Sequence, residues 1–227
     1  MIRLANRQKG FTIIELLVAT SVLSVILLLV TAMIISIGNL FYKGVNQAHI
    51  QESVRSITDQ ISQSLELTGN QVYYYNVSGD PVHAYCVGNV RYTFVLGAQV
   101  GHPQPGSSNP TYQHILWQDT TTDPTCVSHA NLTLTTPSAG GRELGAPNSR
   151  LVSLQINGSG PYELEVFEAY GDDDLLCNSA NAGTCDGSAP MTLADYTNDN
   201  VICKGSAGDQ FCATARLNTT AGRRLDN

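Results

Sequence analysis

The chain has 227 residues, of which 42 % are hydrophobic and 14 % charged, enough for one core in its larger part. Its net charge of −7 argues against broad contact with a phosphate backbone, so nucleic acid is not an expected direct partner. Six cysteines with no C-x2-C pair favour disulfides in an oxidising compartment over a zinc site.

The first residues are basic (Arg3, Arg7, Lys9), and Gly10-Phe11-Thr12-Ile13-Ile14-Glu15 follows. From Leu16 to Ile37 there is no charged side chain. At about 1.5 Å rise per residue, a helix of that length crosses the roughly 30 Å hydrocarbon core of a bilayer. Cations ahead of the span and few behind it predict a cytoplasmic amino terminus and an exported remainder. Glu15 lies just inside the span, where a carboxylate is expensive and needs a partner. A secretory signal has a shorter apolar core, of about 7–15 residues, and a cleavage site after it. Here Ser36-Ile37-Gly38 is the only passable late site. A plain anchor explains the cations and the span but not the carboxylate five residues after a Gly-Phe junction.

The segment Gly10-Phe11-Thr12-Ile13-Ile14-Glu15-Leu16-Leu17-Val18-Ala19 resembles the processing site of type IV prepilins and type II secretion pseudopilins. The resemblance is close over the first 25 residues or so and is one of architecture beyond them. It implies that a prepilin peptidase cuts after Gly10 and methylates Phe11, and that the apolar helix is kept as the packing core of a filament. It also implies that Glu15 serves assembly, with other pilins or pseudopilins and an inner-membrane assembly platform as partners. After cleavage the Phe11 amine and Glu15 lie one helical turn apart, about 6 Å along the axis. A neighbouring subunit's amine at that depth would offset the cost of the carboxylate in lipid; the chain's own amine, or a protonated Glu15, would do the same. Major pilins of the family usually carry a helix-breaking proline partway along this segment. This chain has only Ser, Ala and Thr there, a departure that favours a minor component.

Past Tyr42 and Lys43 the pattern becomes amphipathic. Ile50, Val54, Ile57, Ile61 and Leu65 form one helical stripe, and Thr68-Gly69-Asn70 supplies a stop. The spacing predicts a single helix from Phe11 to Thr68, with its stripe clasped by a globular head; a coiled-coil stalk would need a sustained heptad. Strands are predicted at Ala84–Leu96, Tyr112–Gln118, Leu132–Thr136, Leu151–Asn157 and Tyr162–Ala169, with the last two joined in a hairpin through Asn157-Gly158-Ser159-Gly160-Pro161. Long irregular loops are expected at 97–111, 119–130 and 171–210, and a frayed tail from Thr219. The fold class is α+β: a long amino-terminal helix packed on an antiparallel β-sheet head stapled by disulfides. The expected divisions are a cleaved leader at 1–10, a membrane and filament-core segment at 11–40, an amphipathic segment at 41–68 and an exported β-rich head at 69–227.

Cys86, Cys126, Cys177, Cys185, Cys203 and Cys212 all fall in the exported part, and six cysteines allow fifteen connectivities. Short loops suggest Cys177–Cys185 and Cys203–Cys212, which leaves Cys86–Cys126. Asp172, Asp173 and Asp174 follow Gly171 at a strand end, with Asp186, Asp195 and Asp199 downstream. They are a candidate calcium site of oxygen ligands, which some pseudopilins have, although the spacing is not that of an EF-hand and an acidic turn is more often only solvated. The five histidines are scattered, no H-E-x-x-H or G-x-S-x-G occurs, and no catalytic residue is assigned. Arg223-Arg224 is a local basic pair in the tail. The resemblance therefore implies a minor subunit of a type IV pilus, with initiation, adhesion, motility or DNA uptake as its tasks. The alternative is a minor pseudopilin of a type II secretion system. The cysteine-bearing head and the hairpin ending in Tyr-Gly-Asp resemble the J/W-type minor subunits of both. A membrane-anchored exported binding protein or enzyme is the reading from another class.

Overall fold

The computed structural model describes residues 10–68, 71–76, 80–100, 111–123, 126, 129–197, 200–205 and 208–222. It divides into two compact units, residues 1–41 and 42–227. Helix α1, Ile13–Thr68, runs through the end of the first and the start of the second. The leader residues Arg3, Arg7 and Lys9, the stop residues Gly69-Asn70, most of the 101–111 loop, Asp199 and Arg223-Arg224 lie outside the described residues.

In the first unit α1 is apolar on every side, and its side chains from Leu16 to Ile37 are all exposed. Four of its hydroxyls are satisfied within the helix: Thr20 donates to Leu17 O at 3.1 Å, and Ser21 to Val18 O, Ser24 to Ser21 O and Thr31 to Leu27 O, each at 2.8 Å. Bonding back to the preceding turn removes the penalty that a free hydroxyl would carry in an apolar medium.

In the second unit the stripe Ile50, Val54, Ile57, Ile61 and Leu65 is buried, each residue at 2 % exposure or less. It packs against two antiparallel sheets. The larger contains β1 (Val72–Asn76), β2 (Val82–Val87), β3 (Val90–Val95), β4 (Leu116–Thr120) and β5 (Arg142–Glu143), in that order. The smaller contains β6 (Ser149–Asn157), β7 (Tyr162–Tyr170) and β10 (Ala213–Ala221), ordered β10-β7-β6. Between β7 and β10 the chain forms a lobe from β8 (Leu176–Asn178), α2 (Ala182–Cys185), α3 (Leu193–Thr197) and β9 (Val201–Cys203). An antiparallel bridge from Gln99 to Arg150 links the segment after β3 to β6.

Each side of the smaller sheet has its own core. Leu151, Leu154, Ile156, Leu164 and Val166 join the main cluster with Val54, Ile57, Ile61 and Leu65 of the stripe, Tyr92 and Phe94. Val152, Phe167 and Ala169 join Leu176, Met191, Tyr196 and Val201 of the lobe. A β-bulge between Leu151 and Ser153 makes this possible. Strict alternation would put Leu151 and Leu154 on opposite faces, and one extra residue brings both to the same core.

Five expectations are corrected. The expected strand Ala84–Leu96 is a hairpin, β2–β3, closed by Gly88-Asn89 with Gly88 at φ 63°, a conformation that a β-carbon disfavours. Leu132–Thr136 forms turns instead of a strand. The Asn131 side chain accepts from Thr133 N at 3.1 Å and Thr133 Oγ1 at 2.7 Å, and Leu134 N donates to Asn131 O, so local bonds displace the ladder. The tail is ordered through Ala221, because Thr219, Thr220 and Ala221 pair with Leu164, Glu163 and Tyr162 and Ala221 is buried. The 171–210 region is not a loop but the lobe, organised around its own core and two disulfides. The expected strand Tyr112–Gln118 forms later, as β4.

Candidate functional site: the amino-terminal segment

The helix begins with a reciprocal cap. Thr12 N donates to Glu15 Oε2 at 2.9 Å, Thr12 Oγ1 donates to the same oxygen at 2.8 Å, and Glu15 N donates back to Thr12 Oγ1 at 3.3 Å. This is a capping box, in which a threonine and the carboxylate three residues later satisfy each other's orphan N–H groups. It gives Glu15 a partner within its own chain. Sequence reasoning missed Thr12, although the T-x-x-E spacing ahead of an apolar run is the signal that would have found it.

Gly10 is exposed, and a β-carbon built there meets nothing within 4 Å. The chain's own packing therefore does not require glycine at this position. Phe11 is 78 % exposed. Behind them α1 contains the one helix among the described residues that is long and apolar enough to cross a membrane, with a mean hydropathy of 2.7 over its most apolar window.

In the second unit three disulfides staple the head. Cys86–Cys126 ties β2 to the segment after β4, Cys177–Cys185 closes β8 onto α2, and Cys203–Cys212 ties β9 to the residue before β10, with Cα separations of 5.8, 4.9 and 5.8 Å. Cys177–Cys185 and Cys203–Cys212 are the short-loop pairs, and Cys86–Cys126 is the pair that they leave.

The described aspartates are either held by different partners or exposed. Asp173 pairs with Arg150 Nη1 at 3.1 Å and accepts from the Tyr196 hydroxyl at 2.8 Å. Burial pushes the Tyr196 hydroxyl well above its ordinary pKa, against the pull of Arg150, so it remains the donor. Arg150, 1 % exposed, also donates to Gly97 O and Gln99 Oε1 at 2.8 Å and to Gly171 O at 3.3 Å. Asp195 accepts from Thr192 and Asn181, and Asp186 from Ser188. Asp172 and Asp174 are exposed. Among the described residues no three His, Cys, Asp or Glu side chains converge as metal ligands.

Two histidines meet carboxylates: His129 Nε2 lies 3.2 Å from Asp80 Oδ2, and His114 meets Glu143. His114 Nδ1 lies 3.1 Å from Glu143 Oε2, and its Nε2 lies 3.1 Å from Thr135 O. Burial raises the pKa of Glu143, while N–H groups of Gly145, Leu116 and Ile115 and the charge of His114 oppose the rise. Every oxygen of the pair faces a partner in its own fold, which is the pattern of a structural tie. On β7, Glu168 is fully buried. Ser149 Oγ donates to its Oε1 at 3.2 Å and its Oε2 has no hydrogen bond. Burial pushes this carboxyl up to about 7, and the nearby hydroxyls of Ser53 and Ser149 draw it back only in part.

The family model described as the prokaryotic N-terminal methylation motif matches residues 5–31. No curated protein and no solved structure matches the chain. The matched segment contains Gly10, Phe11, the capping box and the first half of the exposed apolar helix. The motif, together with the long apolar helix leading into a disulfide-bonded α+β head, supports a likeness to the prepilin and pseudopilin family.

Proposed function

We propose that the protein is a minor subunit of a type IV pilus. Residues 1–10 are a cytoplasmic leader that prepilin peptidase removes after Gly10, with methylation of Phe11. The apolar half of α1 then anchors the subunit in the bacterial cytoplasmic membrane with the head outside, until assembly moves it into the filament. The observation that carries this reading is the exposure of every side chain from Leu16 to Ile37 behind a methylation motif. So long an apolar surface needs either lipid or the helices of other pilins around it.

Glu15 is the assembly residue. In the isolated chain it caps its own helix through Thr12, and in the filament it exchanges that bond for a neighbour's Phe11 amine. A minor position is favoured by the uninterrupted helix and by the two-core head, whose lobe differs from the sheets in contour. A bulk subunit repeats the same heterologous contacts on every side, which such a lobe makes harder to satisfy. The features of the segment also fit a minor pseudopilin of a type II secretion system.

Mass spectrometry of the membrane-extracted protein tests the core of the proposal. A methylated Phe11 terminus is expected, and an intact Met1 or a terminus near Asn39 would overturn it. Gly10→Leu should leave unprocessed precursor in the membrane. Proteomics of sheared filaments then tests the role: sparse recovery in pili is expected, dominance there would remove the minor assignment, and recovery only with a secretion pseudopilus would favour the second system.

A further inference from the structure

Along β7, Leu164 and Val166 turn into the main core with the α1 stripe, and Glu168, two residues further on, turns the same way. It is fully buried in the seam between the smaller sheet and α1. The groups facing it are Ser53 of α1, Ser149 of β6 and the carboxylate of Glu143 on β5, itself paired with His114. Directly opposite it on the flanking strands are Leu151 and Ala215. Among the described residues no cation pairs with it.

The hydrogen bonds of Ser149 decide which form of Glu168 the seam holds. Ser149 Oγ has one proton and two acceptors in reach, Ala146 O at 2.8 Å and Glu168 Oε1 at 3.2 Å. A protonated Glu168 donates to Ser149 Oγ and lets the serine donate to Ala146, so both contacts are satisfied. An ionised Glu168 competes with Ala146 for that single proton. Its Oε2 has no hydrogen bond, and neither has Ser53 Oγ on the facing helix. The charge of Glu143 adds repulsion. A buried carboxylate so poorly met is costly, and the cost falls when the seam parts and water reaches it.

We propose that this seam is a proton-operated latch, closed while Glu168 holds its proton and opened when the proton is given up. The opening is local, because α1 keeps separate ties to the larger sheet: Ser64 with Tyr92 at 2.6 Å, and Arg142 with Gln60. The fold raises the Glu168 carboxyl from 4.5 to about 7. The closed state is therefore fully favoured below about 4.5 and loses that advantage as pH rises through about 7. Head and helix are clasped in an acidic medium and loosened in a neutral one.

A buried thiol on α1 tests the latch. Val54 follows Ser53 and is 2 % exposed, so the thiol of Val54→Cys reacts only when the seam opens, while the six native cysteines are held in disulfides. The full chain in detergent micelles is labelled with a thiol reagent at pH 5.5 and 7.5, and rates are divided by the thiolate fraction measured on the unfolded chain. One label per chain by mass confirms that the three disulfides are intact. The corrected rate should rise about twentyfold between the two pH values, as follows from a carboxyl at about 7 when closed and 4.5 when open. Adding Glu168→Gln should make the rate equal at both, and Glu168→Leu, which also has no proton to lose, gives the same reading if the amide variant does not fold. His114→Gln should keep the full rise. A rate level with pH in the parent, or a rise that survives loss of the Glu168 carboxyl, would overturn the proposal. A rise abolished by His114→Gln would do so too, by assigning the response to the histidine pair. So would labelling that follows urea in step with unfolding of the head at Trp117, which would make the opening global.

Discussion

Helix α1 exposes every apolar side chain between Leu16 and Ile37 and buries five of them between Ile50 and Leu65. Both stretches take their apolar residues mainly from Ile, Leu and Val. What differs is arrangement: apolar residues surround the helix in the first stretch and form one stripe in the second, with Gln, Glu, Arg and Asp on the other faces. A stripe can be covered by a single sheet layer from the same chain, whereas an all-round apolar surface needs a surrounding medium. The first stretch therefore points to partners outside the chain, and the second to the chain's own fold.

Paired truncations sharpen that contrast most. Ile57→Ala should destabilise the head by up to about 5 kcal/mol, because it leaves a cavity in the main core. Ile26→Ala should leave head unfolding unchanged. Denaturation in detergent, followed by the single tryptophan, Trp117, reads the head alone. Equal losses from the two variants would break the division between the stretches.

The disulfides confine the next effect to the head. Removing Cys86–Cys126, which spans 40 residues, should cost about 4 kcal/mol by loop entropy, and removing either shorter bridge about 2.5 kcal/mol. Helicity of the apolar stretch should not change on reduction, a difference that circular dichroism of the micelle-bound protein would detect.

Glu168 predicts a pH dependence of head stability. Its carboxyl titrates near 7 in the fold, above the ordinary value of 4.5. The contribution of the protonated form is fully present below about 4.5 and is lost as pH rises through about 7, amounting to about 3 kcal/mol. Glu168→Gln should flatten the profile in that window and leave the head more stable than the parent above it. A parent whose stability is level from pH 5 to 8 would refute this assignment. The smallest effect belongs to the cap: Thr12→Ala should weaken the first turn of α1 by about 1 kcal/mol, seen as faster amide exchange at residues 13–16 with head stability unchanged.

Local patterns in the sequence carried the amino-terminal helix of this protein. The Gly10-Phe11 junction, Glu15, the span and the stripe from Ile50 to Leu65 are readable because each depends on residues within a few turns of one another, and helical periodicity is a short-range property. The hairpin at Asn157–Pro161 was legible for the same reason. Tertiary structure decided what distant segments do to each other. Ala213–Ala221 has little strand character in composition and becomes a strand because β7 offers it a partner more than forty residues earlier in the chain. Val-Gly-Asn-Val reads as one continuous strand until β2 and β3 fold back on each other. Asp173 looks like one carboxylate of three until Arg150 and Tyr196, both distant in sequence, take it as their partner. Local propensity differs by only a few tenths of a kcal/mol between such outcomes, whereas long-range pairing and burial are worth several, so the fold chooses where the sequence pattern is ambiguous.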